Sequence, residues 1–229
     1  MEWMRSERSI WFGEKEHIER DLQYIEREFR AGFELVARID RPAVSIFGSA
    51  RTPRTHRWYQ QAEETAAGFA AEGFAVVTGG GPGIMEAANR GAQDAGGLSV
   101  GMNIQLPHEQ EVNDFVDLTY NFKHFYARKV CFLRASEGFV AFPGGYGTND
   151  ELWEALTLIQ TGKVEHFPVV LFGSEHWDPM VTWIKERLYD EHQISASDLD
   201  LFVVTDDPSA AVRAVVDCYR DGYEHTVTD

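Results

Sequence analysis

Residues Pro143–Glu151 read PGGYGTNDE and combine a glycine-rich turn, a hydroxyl group and a carboxylate in one short segment. A short apolar run, Gly138–Phe142, precedes them, and a helical pattern follows, with Thr148 placed to cap the helix. A strand that leads into a glycine turn and then a helix directs backbone N–H groups and the positive end of a helix dipole at one place. The segment therefore predicts an anion site, suited to a phosphate monoester, with Glu151 beside it in the first helical turn.

The same arrangement occurs earlier in the chain. The strand-like run Phe74–Thr78 leads into GGGPG at Gly79–Gly83, and a helix is expected to begin near Ile84. The spacing fits neither the dinucleotide pattern G-x-G-x-x-G, which Ile84 breaks, nor the ATP-type P-loop. Because glycine turns at the ends of strands in one sheet can face a common cleft, we predict that the two turns bind one ligand together.

Strand-like and helix-like stretches alternate after residue 42, which predicts the α/β class, with a Rossmann-like doubly wound parallel sheet flanked by helices. Ligands of such sheets bind beyond the carboxyl ends of the strands, where both glycine turns lie. The predicted strands are Ala43–Phe47, Ala75–Thr78, Leu98–Met102, Val116–Thr119, Phe139–Phe142, Val169–Phe172 and Leu201–Val204. The predicted helices are Arg57–Glu72, Pro82–Asp94, Lys123–Ala135, Thr148–Thr161, Pro179–Tyr189 and Ser209–Tyr219.

The N-terminal part of the chain has a different pattern. Apolar residues recur at three- and four-residue spacing from Ile18 to Val36, among many charges, which predicts one amphipathic helix. We therefore divide the chain into an N-terminal helical extension, residues 1–41, and a Rossmann-like domain, residues 42–229. We expect the extension to pack on its own domain, and a dimer-facing role is the alternative.

Composition limits the classes of partner. The 229 residues suit one α/β domain, and the net charge of −16 argues against binding to nucleic acid, whose phosphates favour basic surfaces. The two cysteines offer no disulfide framework, and Cys131 is expected to be buried on a helix. With no signal peptide and no apolar run of about 18 residues, we expect a cytoplasmic protein without a membrane partner. The histidines lack metal-ligand spacing, and so no metal is expected.

The motifs GGGPGIM at Gly79–Met85, the pair Arg128-Lys129 and PGGYGTNDE at Pro143–Glu151 together resemble the LOG ("Lonely Guy") family. Its members are cytokinin riboside 5′-monophosphate phosphoribohydrolases, labelled lysine decarboxylase-like in older naming. The resemblance covers about residues 43–172. It implies a Rossmann-like homo-oligomer, with a dimer as the first expectation. It also implies hydrolysis of the N-glycosidic bond of adenine-type nucleoside 5′-monophosphates, to free base and ribose 5-phosphate.

The resemblance implies that Arg128 and Glu151 are catalytic and that no cofactor is used. Bond breaking builds oxocarbenium-like charge on the ribose, so a carboxylate nearby lowers the barrier and can orient or deprotonate the attacking water. A guanidinium stays charged, and we therefore assign Arg128 to electrostatic stabilisation rather than proton donation. The expected substrate and phosphate contacts are Gly48, Ser49, Gly80, Gly81, Gly83, Met85, Lys129, Gly144, Gly145, Gly147 and Thr148. Arg51 either contacts the ligand or is a solvated loop charge.

The chain departs from cytokinin-activating members of the family at two places. The residues Phe125-Tyr126-Ala127 precede the Arg-Lys pair where those members usually have Met-His-Glu, which predicts a different pocket for the base. Glu86 stands where those members tend to have glycine, and it would place a carboxylate close to the expected phosphate site. The preference between AMP and a cytokinin riboside monophosphate with an N6 substituent stays open.

Three other functions are compatible with parts of the sequence. A carrier of a nucleotide-like ligand, as in the molybdenum-cofactor carrier proteins, is the main alternative, although a carrier needs neither Arg128 nor Glu151. A pyridoxal-phosphate decarboxylase needs a Schiff-base lysine beside a partner for the pyridine nitrogen, and Lys129 and Lys163 show no such context. An interaction protein would use the acidic surface and the N-terminal helix.

Overall fold

The computed structural model of the chain describes residues 15–106, 111–165 and 167–227, and the side chains of all of these except residues 15–17 and 223–227. Seven parallel strands form one sheet in the order β4-β3-β2-β1-β5-β6-β7. They are β1 Ala43–Phe47, β2 Ala75–Thr78, β3 Ser99–Ile104, β4 Leu118–Phe122, β5 Phe139–Ala141, β6 Val169–Phe172 and β7 Phe202–Thr205. This sheet confirms the predicted α/β class.

Helices cover both faces of the sheet. They are α1 Lys15–Val36, α2 Arg57–Ala71, α3 Ile84–Asp94, α4 Phe125–Ala135, α5 Tyr146–Gln160, α6 Ser174–Trp183 and α7 Pro208–Val227. A π-helical segment, Ile184–Tyr189, continues α6, and a short 3-10 helix, Ala196–Asp200, precedes β7. Helices α2, α3 and α7 contribute to the core on one face, whereas α1, α4, α5 and α6 contribute to the core on the other.

Burial explains which strands are central. Strands β1, β2 and β6 have the sequences AVSIF, AVVT and VVLF, and every residue in them is buried. Near-continuous apolar runs are typical of parallel strands that helices cover on both faces. The observed bounds of these three strands match the prediction, because each run is short and its apolar character ends where the strand ends.

The N-terminal helix packs on the domain through its second half. Leu35 is buried, and Phe29 and Val36 pack against the core that α4 and α5 share. The first half differs, since Ile18 and Leu22 are 42% and 54% exposed. The predicted amphipathic helix is therefore present, while the division between residues 41 and 42 stays a prediction.

Four predicted helix starts are wrong by two residues or more: Pro82 and Lys123 are each two residues too early, Thr148 is two residues too late, and Pro179 is five residues too late. Helix α5 begins at Tyr146 with Gly145 as its N-cap and no side-chain capping bond, so Thr148 is not the cap and Glu151 lies in the second turn. Glycine is also accepted as an N-cap, and here the Gly145 carbonyl accepts the N–H of Asn149 at 3.1 Å. Helix α6 begins at Ser174 rather than at Pro179, which lies inside it at the cost of one helical hydrogen bond.

Candidate active site

A cavity of about 710 Å³ lies at the carboxyl edge of the sheet, beside the point where the strand order reverses between β1 and β5. Chain segments that follow neighbouring strands of a doubly wound sheet diverge at such a point, and ligands bind in the crevice between them. The cavity is lined from the loop after β1, the turn after β2, the end of β3, and helices α4 and α5. Its volume lies within the range of small-molecule sites.

Close backbone contacts join the loop after β1 to the glycine turn after β2 and to the loop after β5. The N–H of Ser49 donates to the carbonyl of Pro143 at 3.0 Å, and the carbonyl of Ser49 accepts the N–H of Ile84 at 3.1 Å. Gly83 has a φ of +69°, and a Cβ atom built there would lie 2.3 Å from the Ser49 carbonyl oxygen. Only glycine fits this position, since both the backbone conformation and the contact exclude a side chain.

Arg128 reaches the cavity from the first turn of α4. Its guanidinium lies over the rings of Phe132 and Phe125, with Cζ at 5.1 and 5.9 Å from the two ring centroids. A Cβ atom built on Gly79 would lie 3.1 Å from Nη2, so the guanidinium rests against the glycine turn. Burial lowers the pKa of Arg128, while the neighbouring Glu151 opposes that change. Its Nε is buried and has no hydrogen-bond acceptor among the described residues.

Glu151 is 4% exposed and lines the same cavity from α5. Burial raises the pKa of its carboxyl group to about 7, and the charges of Arg128 and Lys129 limit the rise. Of these two charges, Arg128 has the larger effect in favour of the ionised carboxylate. A carboxyl group with a pKa near neutrality, with a half-buried cation in the same cleft, is typical of an acid–base catalyst.

Lys129 takes a different direction from Arg128. Its Nζ lies 2.9 Å from Asp150 Oδ1 and 3.1 Å from Glu154 Oε2, and so it links α4 to α5 beside the cavity. Burial acts to lower the pKa of Lys129, but the hydrogen bonds to the two carboxylates outweigh that effect and raise the pKa. Lys129 is not among the residues that line the cavity.

The structure brings most of the predicted site residues together. Those that line the cavity are Gly48, Ser49, Met85, Arg128, Gly145, Gly147, Thr148 and Glu151. Those that lie outside its lining are Gly80, Gly81, Gly83, Lys129 and Gly144. Arg51 also lines the cavity. Gly144 instead borders a smaller neighbouring cavity, and a Cβ atom there would lie 2.1 Å from Thr148 Oγ1.

A buried polar network explains why Gly80 does not face the cavity. The N–H of Gly80 donates to Thr78 Oγ1 at 2.9 Å, and Thr78 donates to Asn89 Oδ1 at 2.7 Å. Asn89 Nδ2 donates to Ser99 Oγ at 2.8 Å, and Asn113 donates to Asn89 and to the carbonyl of Gly80. Hydrogen bonds within the protein therefore hold the turn Gly79–Gly83 in place. The N–H of Gly80 already donates to Thr78 and is not free to bind a ligand.

The end of β3 supplies lining residues that were not predicted. Asn103, Ile104 and Leu106 border the cavity. The predicted strand ended at Met102, two residues too early, and no motif marks these positions. Only the topology could have indicated them, because the carboxyl ends of all parallel strands meet at one edge of the sheet and the end of β3 must therefore lie near the site. Phe125, the departure noted before the Arg-Lys pair, also lines the cavity.

Glu86 does not enter the cavity. Its Oε1 accepts hydrogen bonds from Arg54 Nε at 2.6 Å and from the Tyr59 hydroxyl at 2.7 Å. Burial acts to raise the pKa of Glu86, but these two hydrogen bonds and the nearby arginines lower it overall. The carboxylate thus joins the loop after β1 to α2 and α3, away from the expected phosphate contacts.

Two structural findings concern other classes of site. Among the described residues, no three His, Cys, Asp or Glu side chains are grouped so that they could hold a metal ion. Within residues 15–106, 111–165 and 167–227, no helix has the length and apolar character needed to cross a bilayer.

Comparisons with known proteins identify relatives of this chain in sequence and in fold. The family model described as "Possible lysine decarboxylase" matches residues 85–215, more than half of the chain. A cytokinin riboside 5′-monophosphate phosphoribohydrolase of Mycobacterium tuberculosis is 29% identical over 72% of this chain and 89% of its own. A rice protein, described as a probable enzyme of the same name, is 30% identical over 70% of this chain and 76% of its own.

The chain belongs to the LOG family. Solved structures show the same fold outside the named phosphoribohydrolases. The Moco carrier protein of Chlamydomonas reinhardtii matches with a TM-score of 0.58 and 26% identity, over 79% of this LOG chain and 98% of the carrier. The molybdenum cofactor binding protein of Rippkaea orientalis matches with a TM-score of 0.56 and 22% identity, over 76% and 95% of the two chains.

Proposed function

We propose that this LOG protein hydrolyses the N-glycosidic bond of adenine-type nucleoside 5′-monophosphates to free base and ribose 5-phosphate. The observation that carries the proposal is the convergence of Arg128 and the buried Glu151 on one cavity of about 710 Å³ at the switch point of the sheet. The named phosphoribohydrolases among its relatives support the same reaction class.

Glu151 acts on the ribose side of the bond. As a carboxylate it stabilises the positive charge that builds on the ribose, and it orients or deprotonates the attacking water. Because burial raises its pKa to about 7, the carboxyl group is a strong enough base near neutral pH and still ionises there. Its position within the second turn of α5, at 4% exposure, keeps it away from bulk water.

Arg128 acts as a fixed positive charge. A guanidinium retains its proton at working pH, so Arg128 stabilises negative charge on the phosphate or on the leaving base and transfers no proton. Its Nε has no acceptor among the described residues, and because that atom is enclosed it meets a substrate oxygen only after the side chain shifts. A buried donor of this kind gains most when a ligand supplies the missing acceptor.

The remaining lining divides into polar and apolar parts. Ser49 on the loop after β1, and Gly145, Gly147 and Thr148 at the N-terminus of α5, supply backbone N–H groups and hydroxyls that suit a phosphate. Phe47, Met85, Ile104, Leu106 and Phe125 supply apolar surface for a flat base. The division fits a nucleoside monophosphate, whose two ends differ in polarity.

A carrier of a nucleotide-like ligand is the second candidate. The likeness to the Moco carrier protein of Chlamydomonas reinhardtii favours it, since the two chains share the fold over nearly the whole carrier. Binding without turnover would distinguish a carrier from an enzyme. Decarboxylation with pyridoxal phosphate is disfavoured, because Lys129 is held by Asp150 and Glu154 and its raised pKa opposes the neutral amine that a Schiff base requires.

The test is chromatographic detection of adenine and ribose 5-phosphate after incubation of the purified protein with AMP, and separately with isopentenyl-AMP. Glu151→Gln and Arg128→Ala are the active-site variants, and Glu34→Gln, an exposed acid on α1, is the matched control. We expect base release by the wild type and the control, and a loss of at least 100-fold in both active-site variants. Binding of nucleotide without base release from either nucleotide would instead support the carrier.

We also propose that the protein forms a homodimer. The exposed apolar side chains on α1, among them Ile18, Leu22 and Phe33, provide surface that a second copy would cover. Size-exclusion chromatography with light scattering tests the proposal directly. A mass of twice 26.0 kDa at micromolar concentration is expected, and a monomer would contradict it.

A further inference from the structure

Glu28 connects the N-terminal helix to the helix that carries Arg128. It lies in the middle of α1 and is 6% exposed, although glutamate is rarely so buried without a partner. Its carboxylate meets the chain just before α4, where Lys123 and His124 precede the first helical residue. Glu28 and His124 are 96 residues apart in the sequence.

Both carboxylate oxygens of Glu28 are used. Oε1 accepts the backbone N–H groups of Lys123 and His124, the second at 3.3 Å. Oε2 lies 2.5 Å from His124 Nδ1, which donates to it. His124, the N-cap residue of α4, makes no side-chain capping bond, and the carboxylate from α1 instead accepts the N–H of His124 itself and of the residue before it. A negative charge at this place is also favoured by the helix dipole.

The arrangement reaches Arg128 through a single further hydrogen bond. The N–H of Arg128 donates to the carbonyl of His124 at 3.4 Å, and Arg128 lies on the same face of α4, one turn later. The helices are also in close contact beyond this point, since a Cβ atom on Gly32 would lie 2.5 Å from Cys131 Sγ. Helix α4 therefore has its first turn held by α1, and the guanidinium depends on that turn for its place.

We propose that Glu28 is a positioning residue for Arg128, and that the N-terminal helix is therefore part of the active-site framework. The kinetic readout of this inference rests on the proposed function, whereas its spectroscopic readout does not. If the contact were only a helix cap, its loss would lower the melting temperature and leave the site unchanged. If it places Arg128, its loss also changes the electrostatic surroundings of Glu151.

The charged groups around Glu151 make the second readout specific. Arg128 and Lys129 lower the pKa of its carboxyl group, while Asp150 and Glu154 raise it. Both favourable charges lie on α4, but Lys129 is also tied to α5 by its ion pairs with Asp150 and Glu154, whereas no ion pair ties Arg128 within the described residues. Displacement of Arg128 removes a favourable charge, and the Glu151 titration then moves to higher pH.

The experiment compares Glu28→Ala and Glu28→Gln with Glu34→Ala, an exposed acid six residues later on α1. The glutamine variant keeps an acceptor oxygen for the two N–H groups without the charge, and it provides a second measurement if the alanine variant does not fold. The readouts are kcat and KM with AMP from pH 5 to 9, the melting temperature, and the Glu151 titration by ¹³C NMR of labelled glutamate carboxyls. The Glu151 signal is assigned by its absence in Glu151→Gln.

We expect kcat to fall at least tenfold in Glu28→Ala, with KM changed less than threefold, and the Glu151 midpoint to rise by at least 0.5 pH units. Glu28→Gln should show the same changes in smaller degree, and Glu34→Ala should match the wild type. A lower melting temperature with unchanged kcat and an unchanged Glu151 midpoint would overturn the proposal. If the wild type releases no base, the proposed function fails, and the Glu151 midpoint alone still decides the role of Glu28.

Discussion

Lys129 Nζ lies 2.9 Å from Asp150 Oδ1, and the two residues are the chain neighbours of Arg128 and Glu151. On α4, Arg128 points to the cavity and Lys129 to the acids beside it. On α5, Glu151 is buried at the cavity and Glu154 completes the ion pairs of Lys129. Arg128 and Glu151 thus line the site, whereas their neighbours Lys129 and Asp150 link the two helices that carry it.

Replacement of Lys129 should weaken this link more than it weakens the chemistry. We expect Lys129→Met to lower the free energy of unfolding by about 0.5–1 kcal/mol, because the half-exposed Asp150 is screened by solvent. We expect it to keep at least a tenth of the wild-type activity. Urea denaturation and the AMP assay measure the two effects, and Lys163→Met, at an exposed turn, is the control. Equal activity losses in Lys129→Met and Arg128→Ala would contradict this division of roles.

Gly83 should be far less replaceable than Gly73, another glycine with positive φ. Both Gly83 and Gly73 have positive φ, +69° and +84°, but only at Gly83 would a Cβ atom meet neighbouring backbone. We expect Gly73→Ala to cost about 1–2 kcal/mol from the backbone conformation alone. Gly83→Ala should cost more than about 3 kcal/mol, since the clash with Ser49 adds to it. Similar midpoints of urea denaturation for the two variants would contradict this prediction. They would show that the loop after β1 moves away from the added methyl group without a loss of stability.

Gly145 should tolerate a methyl group in the fold but not in the site. A Cβ atom there meets nothing within 4 Å, and its φ of −96° suits any residue. We expect Gly145→Ala to change the free energy of unfolding by less than about 0.5 kcal/mol. Because Gly145 lines the cavity, we expect the added methyl group to lower the affinity for AMP at least tenfold in isothermal titration calorimetry. Unchanged affinity would place the phosphate elsewhere in the cavity.

Replacement of Glu86 should lower the stability of the fold and leave substrate binding almost unchanged. Its carboxylate binds Arg54 and Tyr59 and does not line the cavity. We expect Glu86→Ala to cost about 1–2 kcal/mol, chiefly because the buried Tyr59 hydroxyl loses its acceptor. The KM for AMP should change less than twofold. A large increase in KM, with the fold intact, would mean that the carboxylate influences the phosphate site after all.

The pH dependence of stability should reveal the burial of Glu151. Its folded-state pKa of about 7 lies above the ordinary value of 4.5, so the folded protein holds a proton that the unfolded chain releases as pH rises between these values. Wild-type stability should therefore fall across that window relative to Glu151→Gln, which carries no such group. The difference between the two proteins is expected to grow by up to about 2–3 kcal/mol by pH 8. Thermal denaturation at several pH values tests this, and parallel curves would contradict it.

The sequence predicted much of the fold for identifiable reasons. Strands β1, β2 and β6 are short apolar runs bounded by polar or turn residues, so their limits are visible in the chain itself. The loops that form the cavity were predictable because parallel strands share a carboxyl edge. The start of α5 was not, because Gly145 replaced the side-chain cap that Thr148 suggested.

The sequence by itself determined the α/β class, the glycine turns and the pairing of Arg128 with Glu151 as candidates, since each depends on local pattern or motif. Only the tertiary structure decided that Glu28 binds the backbone just before α4, that Glu86 turns away from the site, and that Lys129 binds acids of α5. It also decided the raised pKa of Glu151. These properties depend on which distant segments meet and how much water they exclude, and no periodicity along one segment records that.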